Sequence, residues 1–152
     1  MNIFIGIILF ICCILFGYIK ADKYIKKRKY YFDFYTFNKI LKSEIEFTQN
    51  TLTTIIKNHE KNDFINTFEN FILYENFSFN KNYLTEEDIS FLKNYLSVIG
   101  KGDRYSQIQF IDKISLQIDN NYSVAQSEEK KYKTLYVKIS FLVGLMLFIL
   151  FL

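Results

Sequence analysis

Proline is absent from this chain of 152 residues, where ordinary usage of ~5% would supply about seven. That absence argues against sandwiches and loop-rich folds and leaves long helices uninterrupted. Histidine occurs once, at His59, so a histidine-based triad or metal cluster has almost nothing to draw on. His59 lies in Lys57-Asn58-His59-Glu60-Lys61, which reads as a solvent-exposed helix end or loop. The two cysteines, Cys12 and Cys13, are adjacent in an apolar run and make neither a disulfide framework nor a zinc site. They read as small apolar residues, and Phe10-Ile11-Cys12-Cys13 lacks the small residue expected before a lipidated cysteine. No P-loop, GxGxxG, GxSxG or HExxH pattern occurs. The residues therefore assign no catalytic side chain, no metal site and no cofactor.

The ends of the chain also lack charge. All 19 basic and all 16 acidic residues lie between Lys20 and Lys138. The mean hydropathy of +0.03 is thus an average over three unlike pieces. A hydrophobic content of 50%, with 19% aromatics, excludes global disorder.

Residues 1–19 carry the run Ile3-Phe4-Ile5-Gly6-Ile7-Ile8-Leu9-Phe10-Ile11. Nineteen helical residues reach about 28 Å, close to the hydrocarbon thickness of a bilayer. A cleaved signal would have its basic residues before the apolar run. Here Lys20, Lys23, Lys26, Lys27, Arg28 and Lys29 follow it, which predicts an uncleaved anchor with its N-terminus outside. Residues 134–152 form the second apolar piece. It reaches spanning length if Lys138 snorkels, and Tyr132 and Tyr136 suit the interfacial belt. Lys130, Lys131, Lys133 and Lys138 put this flank on the same side. The competing reading of the C-terminal run is a buried core helix. The expected organisation is an anchor over 1–19, a cytoplasmic helical domain over 20–133 with basic collars, and a second transmembrane helix over 134–152.

Residues 20–31 hold six basic and one acidic side chain, and residues 130–138 hold four basic ones; within a total of +3, residues 32–129 are left with −6. An acidic body weighs against nucleic acid as a partner. The collars suit membrane lipids, although setting topology is their simpler role.

The body has helical periodicity. Phe37, Ile40, Leu41 and Ile45 fall on one face, as do Phe64, Phe68, Phe71 and Ile72, and as do Ile89, Leu92, Leu96 and Ile99. The fold class is therefore all-α, a helical bundle between N- and C-terminal transmembrane helices. Thr85 followed by Asp88 reads as a capping box, with Glu86, Glu87 and Asp88 in the first turn, where the helix dipole favours negative charge. Gly100 stops that helix, Gly102 frees the connection to turn, and Asp103 caps the next helix. The last helix carries a seam of Ile108, Ile111, Ile114, Ile118, Tyr122, Ala125 and Tyr132. Core packing is its first reading and a coiled coil with another subunit its second. Nothing interrupts it before the terminal run, so one helix is expected from Asp103 onward. Asn76-Phe77-Ser78 and Asn121-Tyr122-Ser123 match glycosylation sequons that a cytoplasmic body would not use.

Several elements together resemble the stage III sporulation protein AB family of endospore-forming bacteria. They are Leu41-Lys42-Ser43-Glu44-Ile45, Leu84-Thr85-Glu86-Glu87-Asp88, Phe91-Leu92, Ile99-Gly100-Lys101-Gly102-Asp103-Arg104 with Gln107, and the stretch from Lys131 to the C-terminus. The family's Leu-Gly-x-Ser-Asp reads Ile99-Gly100-Lys101-Gly102-Asp103 here. The resemblance implies a cytoplasmic region similar to the helical domains of the type II secretion and type IV pilus platform protein. It implies a place in the outer forespore membrane of the mother cell, within the channel complex linking mother cell and forespore. The implied partners are a secretion-type ATPase, stage III sporulation protein AA, and other sporulation channel proteins. Candidate partner-binding residues are Glu86, Glu87, Asp88, Lys101, Asp103 and Arg104, with Thr85, Gly100 and Gly102 as structural caps. The alternatives are a scaffold of another secretion or pilus machine, and a two-span membrane enzyme acting on lipids. Such an enzyme would favour a cluster of polar or charged residues within the spans, and the sequence shows no such cluster.

Overall fold

The computed structural model describes residues 2–48, 50–74 and 82–151. Five helices follow one another: α1 (Asn2–Phe47), α2 (Leu52–Lys57), α3 (Asp63–Tyr74), α4 (Glu86–Val98) and α5 (Arg104–Leu150). No strand occurs among the described residues, and the protein is all-α. The first sequon, Asn76-Phe77-Ser78, lies outside them. Helices of 46 and 47 residues are possible because no proline removes a backbone donor along the way. The helix expected from Asp103 through the terminal run is the single α5.

Internal contacts divide the chain into two units. One joins the stretch ending at Arg28 to the stretch beginning at Val124, and the other is Lys29–Ser123.

The first unit is a pair of antiparallel helices, with Gly6 against Phe148 and Gly17 against Ser140. Its buried residues among those described are Gly6, Gly17, Ala21, Ala125 and Gly144. Two helices alone cannot enclose a bulky side chain, so only the smallest residues disappear at their line of contact. A Cβ on Gly17 would stand 2.3 Å from Ser140 Oγ and 3.1 Å from the Tyr136 carbonyl oxygen. The bulky residues point outward: Phe4 is 75% exposed and Met146 70%. Both helices are long and apolar enough to cross a membrane, and only 11% and 6% of their most apolar windows are buried within the protein. The C-terminal run is thus no core helix. Lys27 pairs with Glu128 at 3.3 Å and Arg28 with Glu129 at 2.7 Å, while Tyr24 stacks on Tyr132 at 4.5 Å. These contacts join the two helices where the collars begin.

The second unit has an aromatic core. Phe34 of α1 stacks on Phe64 of α3 at 4.5 Å and meets Tyr95 of α4 edge-on at 4.7 Å. Phe37 packs edge-on against Phe68 at 5.1 Å. Each of these rings is fully buried, a contribution of about 1.5–3 kcal/mol per side chain before entropy is counted. From α5, Ile111, Ile114 and Ile118 close the core, so this part of the seam packs within the chain.

The buried face of α1 differs from the expected one. It runs through Tyr30, Tyr31, Phe34, Phe37 and Leu41, whereas Ile40 is 36% exposed. Spacings of three or four from Phe37 back to Tyr30 keep the aromatics on one stripe. His59 also departs from expectation. It is half-buried, with its ring edge-on to Phe37 at 5.4 Å, because the turn after α2 folds back over α1. The amide of Asn38, only 2% exposed, sits within the apolar core. Tyr95 donates its hydroxyl to Asn38 Oδ1 at 3.1 Å, and Asn38 Nδ2 donates to Ser115 Oγ at 2.9 Å. Ser115 in turn donates to the Ile111 carbonyl at 2.6 Å. Burial pushes the Tyr95 phenol above its ordinary range, so it remains a donor.

Two predictions follow from these packings. Asn38→Ala should cost about 1–3 kcal/mol, because Tyr95 and Ser115 lose partners away from water; thermal unfolding of the full chain in detergent measures it. Gly17→Ala should lower the melting temperature, and adding Ser140→Gly should restore part of the loss. A double-mutant cycle with no coupling would contradict this helix contact.

Candidate partner-binding site

α4 begins in a capping box. Thr85 Oγ1 accepts from the Asp88 backbone N–H at 3.2 Å, and Asp88 Oδ2 accepts from the Thr85 backbone N–H at 2.8 Å. The remaining carboxylate oxygen, Asp88 Oδ1, accepts from the Tyr31 hydroxyl at 2.6 Å. Burial, reinforced by this hydrogen bond to a carboxylate, pushes the Tyr31 phenol well up and keeps its proton in place. Asp88 therefore fastens the start of α4 to α1. Glu86 and Glu87, in the same turn, stay exposed.

α4 ends at Val98 with Ile99 as its C-cap, and the connection to α5 depends on two glycines. Gly100 has φ +81° and Gly102 φ +94°, in the left-handed region that side chains resist. A Cβ on Gly100 would also stand 2.8 Å from Leu52 Cδ2. Gln107, on the first turns of α5, reaches back across this loop. Its Oε1 accepts from the Gly100 N–H at 2.9 Å, and its Nε2 donates to the Lys101 carbonyl. One buried amide thereby satisfies both a donor and an acceptor of the loop. Asp103 starts α5: its Oδ1 accepts from the Ser106 N–H at 2.8 Å and its Oδ2 from the Ser106 hydroxyl at 3.2 Å. These donors hold the Asp103 carboxyl below the usual carboxylate range. Lys101 and Arg104 are exposed on either side of it.

The six candidate residues accordingly form two clusters. Glu86, Glu87 and Asp88 stand at one end of α4, and Lys101, Asp103 and Arg104 lie beyond the other end. Thirteen helical residues separate them by about 20 Å. The second cluster adjoins a cleft of about 570 Å³, walled by Leu41, Ile45, Leu52 and Ile55 and edged by Arg104 and Gln107. The apolar pattern gives no hint of this cleft, because one of its walls is α2. That helix has only six residues, and its clearest signal is the cap at Thr51, which accepts from the Thr54 N–H at 3.4 Å. No group of three or more His, Cys, Asp or Glu among the described residues is placed to hold a metal ion. The arrangement offers charged, fixed surfaces and an apolar hollow.

A family model described as stage III sporulation protein AB matches residues 66–152. The chain belongs to the stage III sporulation protein AB family. No curated protein and no solved structure matches the chain. The sporulation-family match begins within α3 and takes in α4, the glycine-containing connection and the whole of α5. Both charged clusters, Gln107 and the second apolar helix thus lie inside the region that defines the family. The α1 and α2 walls of the cleft lie outside it.

Asp103 makes a pH-dependent contribution whose sign is set by its lowered pKa. A depressed carboxylate stabilises the fold above its unfolded value of about 3.9, and that support disappears as pH falls through the lower folded value. Asp103→Asn keeps a capping oxygen but no charge. The wild-type advantage in melting temperature should be constant near neutrality and vanish at acid pH. An advantage undiminished by acid would contradict the assignment.

Proposed function

We propose that this chain is a membrane-anchored, non-enzymatic adaptor of the sporulation channel. In this reading α1 and α5 cross the outer forespore membrane of the mother cell, and the body faces the cytoplasm. There it docks a secretion-type ATPase of the stage III sporulation protein AA kind. Membership of the stage III family supports the setting. The two lipid-compatible helices support the anchoring, and the basic side chains that follow the first apolar run and precede the second support the topology. The observation that carries the docking role is the connection after α4. It presents Lys101 on a loop fixed by Gln107 and Arg104 at the start of α5, beside an apolar cleft. Fixed charges next to a hollow suit recognition of a protein surface.

The two clusters divide the work. Glu86 and Glu87 supply negative charge for a basic ATPase surface, while Lys101 and Arg104 supply a second contact of opposite sign. Asp88 and Asp103 hold the helix starts that carry these residues. Nucleotide-driven movement of the ATPase would reach channel components through α1 and α5, each of which contributes to both units.

The test is capture of the purified ATPase from the same organism by the full chain in detergent, across a salt series. Specific capture that weakens with salt is expected. Glu86→Lys combined with Glu87→Lys should reduce affinity about tenfold, and Lys101→Glu with Arg104→Glu should do likewise. A folded chain that captures no ATPase overturns the docking role and favours a scaffold that meets its partners through α1 and α5.

A further inference from the structure

The two-helix unit has a groove of its own. It encloses about 580 Å³ beside the Gly17–Ser140 contact, where the close approach of the backbones leaves room along the flank. Phe16 and Val143 are among its apolar walls, and its polar side chains are Lys20, Tyr136 and Ser140. Because the helices are antiparallel, Lys20 and Tyr136 come to the same end of the groove. The hollow is thus apolar along its length and cationic at its mouth.

Among the described residues of the unit, the acidic side chains pair with basic side chains other than Lys20. The unit contains nine basic and three acidic side chains. The carboxylates of Asp22, Glu128 and Glu129 pair with Lys26, Lys27 and Arg28. The Lys20 ammonium instead stands 5.2 Å above the ring of Phe16, another wall of the groove. An ammonium held over an aromatic wall keeps its charge beside the groove.

We infer that this groove is a binding site for one anionic phospholipid, with an acyl chain along the apolar walls and the phosphate at Lys20 and Tyr136. The inference rests on the reading that α1 and α5 cross a membrane. A free phosphate would leave the apolar length unfilled, and a zwitterionic phospholipid would bring a second cation beside its phosphate into a unit that already has nine basic side chains against three acidic ones. Basic pockets between membrane helices recognise acidic headgroups by this combination.

The chain contains no tryptophan, so a single introduced indole reports alone. Val143→Trp places it in the groove, and Leu142→Trp places it on the open apolar face, where Leu142 is 66% exposed. The full chain is reconstituted in vesicles of one fixed mixture of phosphatidylcholine and phosphatidylglycerol, with brominated acyl chains on either one lipid or the other. Bromine on phosphatidylglycerol should quench Val143→Trp with about fivefold preference. That preference should be absent at Leu142→Trp and lost when Lys20→Gln is added. Native mass spectrometry of the unsubstituted chain should show one retained phosphatidylglycerol, and less in Lys20→Gln. Equal quenching by both lipids at Val143→Trp overturns the site in favour of bulk lipid. Quenching at Leu142→Trp but not at Val143→Trp overturns it in favour of a protein helix in the groove. Quenching at neither position means that the helices are not in the bilayer, and the spanning reading fails with the site.

Discussion

A buried amide governs how the body is assembled. Asn38 sits on α1 among phenylalanine and tyrosine rings, where an unmet polar group would be costly. Its oxygen is satisfied from α4 and its nitrogen by α5, so the three helices must meet in one register. Aromatic rings alone leave alternatives open, because stacked and edge-on arrangements are both favourable and both occur in this core. The hydrogen bonds from Tyr95 and to Ser115 remove that freedom. The Tyr31–Asp88 contact adds a second fixed point between α1 and α4. Once those helices are placed, the start of α4 and the approach to α5 are placed too, and both charged clusters follow.

Much of this was legible in the residues, for physical reasons. The charge-free ends announced two long apolar helices, since a helix satisfies its own backbone hydrogen bonds where no water reaches. The cap at Thr85 and the stop at Gly100 were visible because each depends on a local side chain or a local dihedral. The aromatic stretch of α1 was harder to see. Tyr30 and Tyr31 follow a run of lysines and carry hydroxyls, so they counted with the basic collar although both are buried. α2 was hidden because six residues are too few to show a period. Gln107 was visible only through a family resemblance. Its role depends on a loop seven residues earlier in the sequence, and a polar residue at a helix start has no distinctive spacing.

The candidate site shows the same boundary between local and assembled features. Glu86, Glu87 and Asp88 look alike in the sequence, yet Asp88 is committed to Tyr31 and Thr85 while its neighbours face outward. Lys101, Asp103 and Arg104 also look like one charged patch. The structure makes Asp103 a helix cap and leaves the cations to the surface. Their separation from the acidic turn by the length of α4 turns a single expected contact into two. The cleft beside the cations was not legible at all, because its walls come from two distant parts of the chain, 41–55 and 100–107.

The brace formed by Gln107 has a consequence for the energetics of recognition. Ordering a backbone residue removes about 1–2 kcal/mol of conformational freedom at room temperature, and a mobile loop would lose that freedom on meeting a partner. Here the turn between α4 and α5 is held by Gln107 from one side and by Leu52 against Gly100 from the other. The loop is preorganised, so its ordering entropy is lost during folding and not during association. In the proposed docking, contacts at Lys101 and Arg104 would translate more directly into affinity than the same contacts beside a mobile loop.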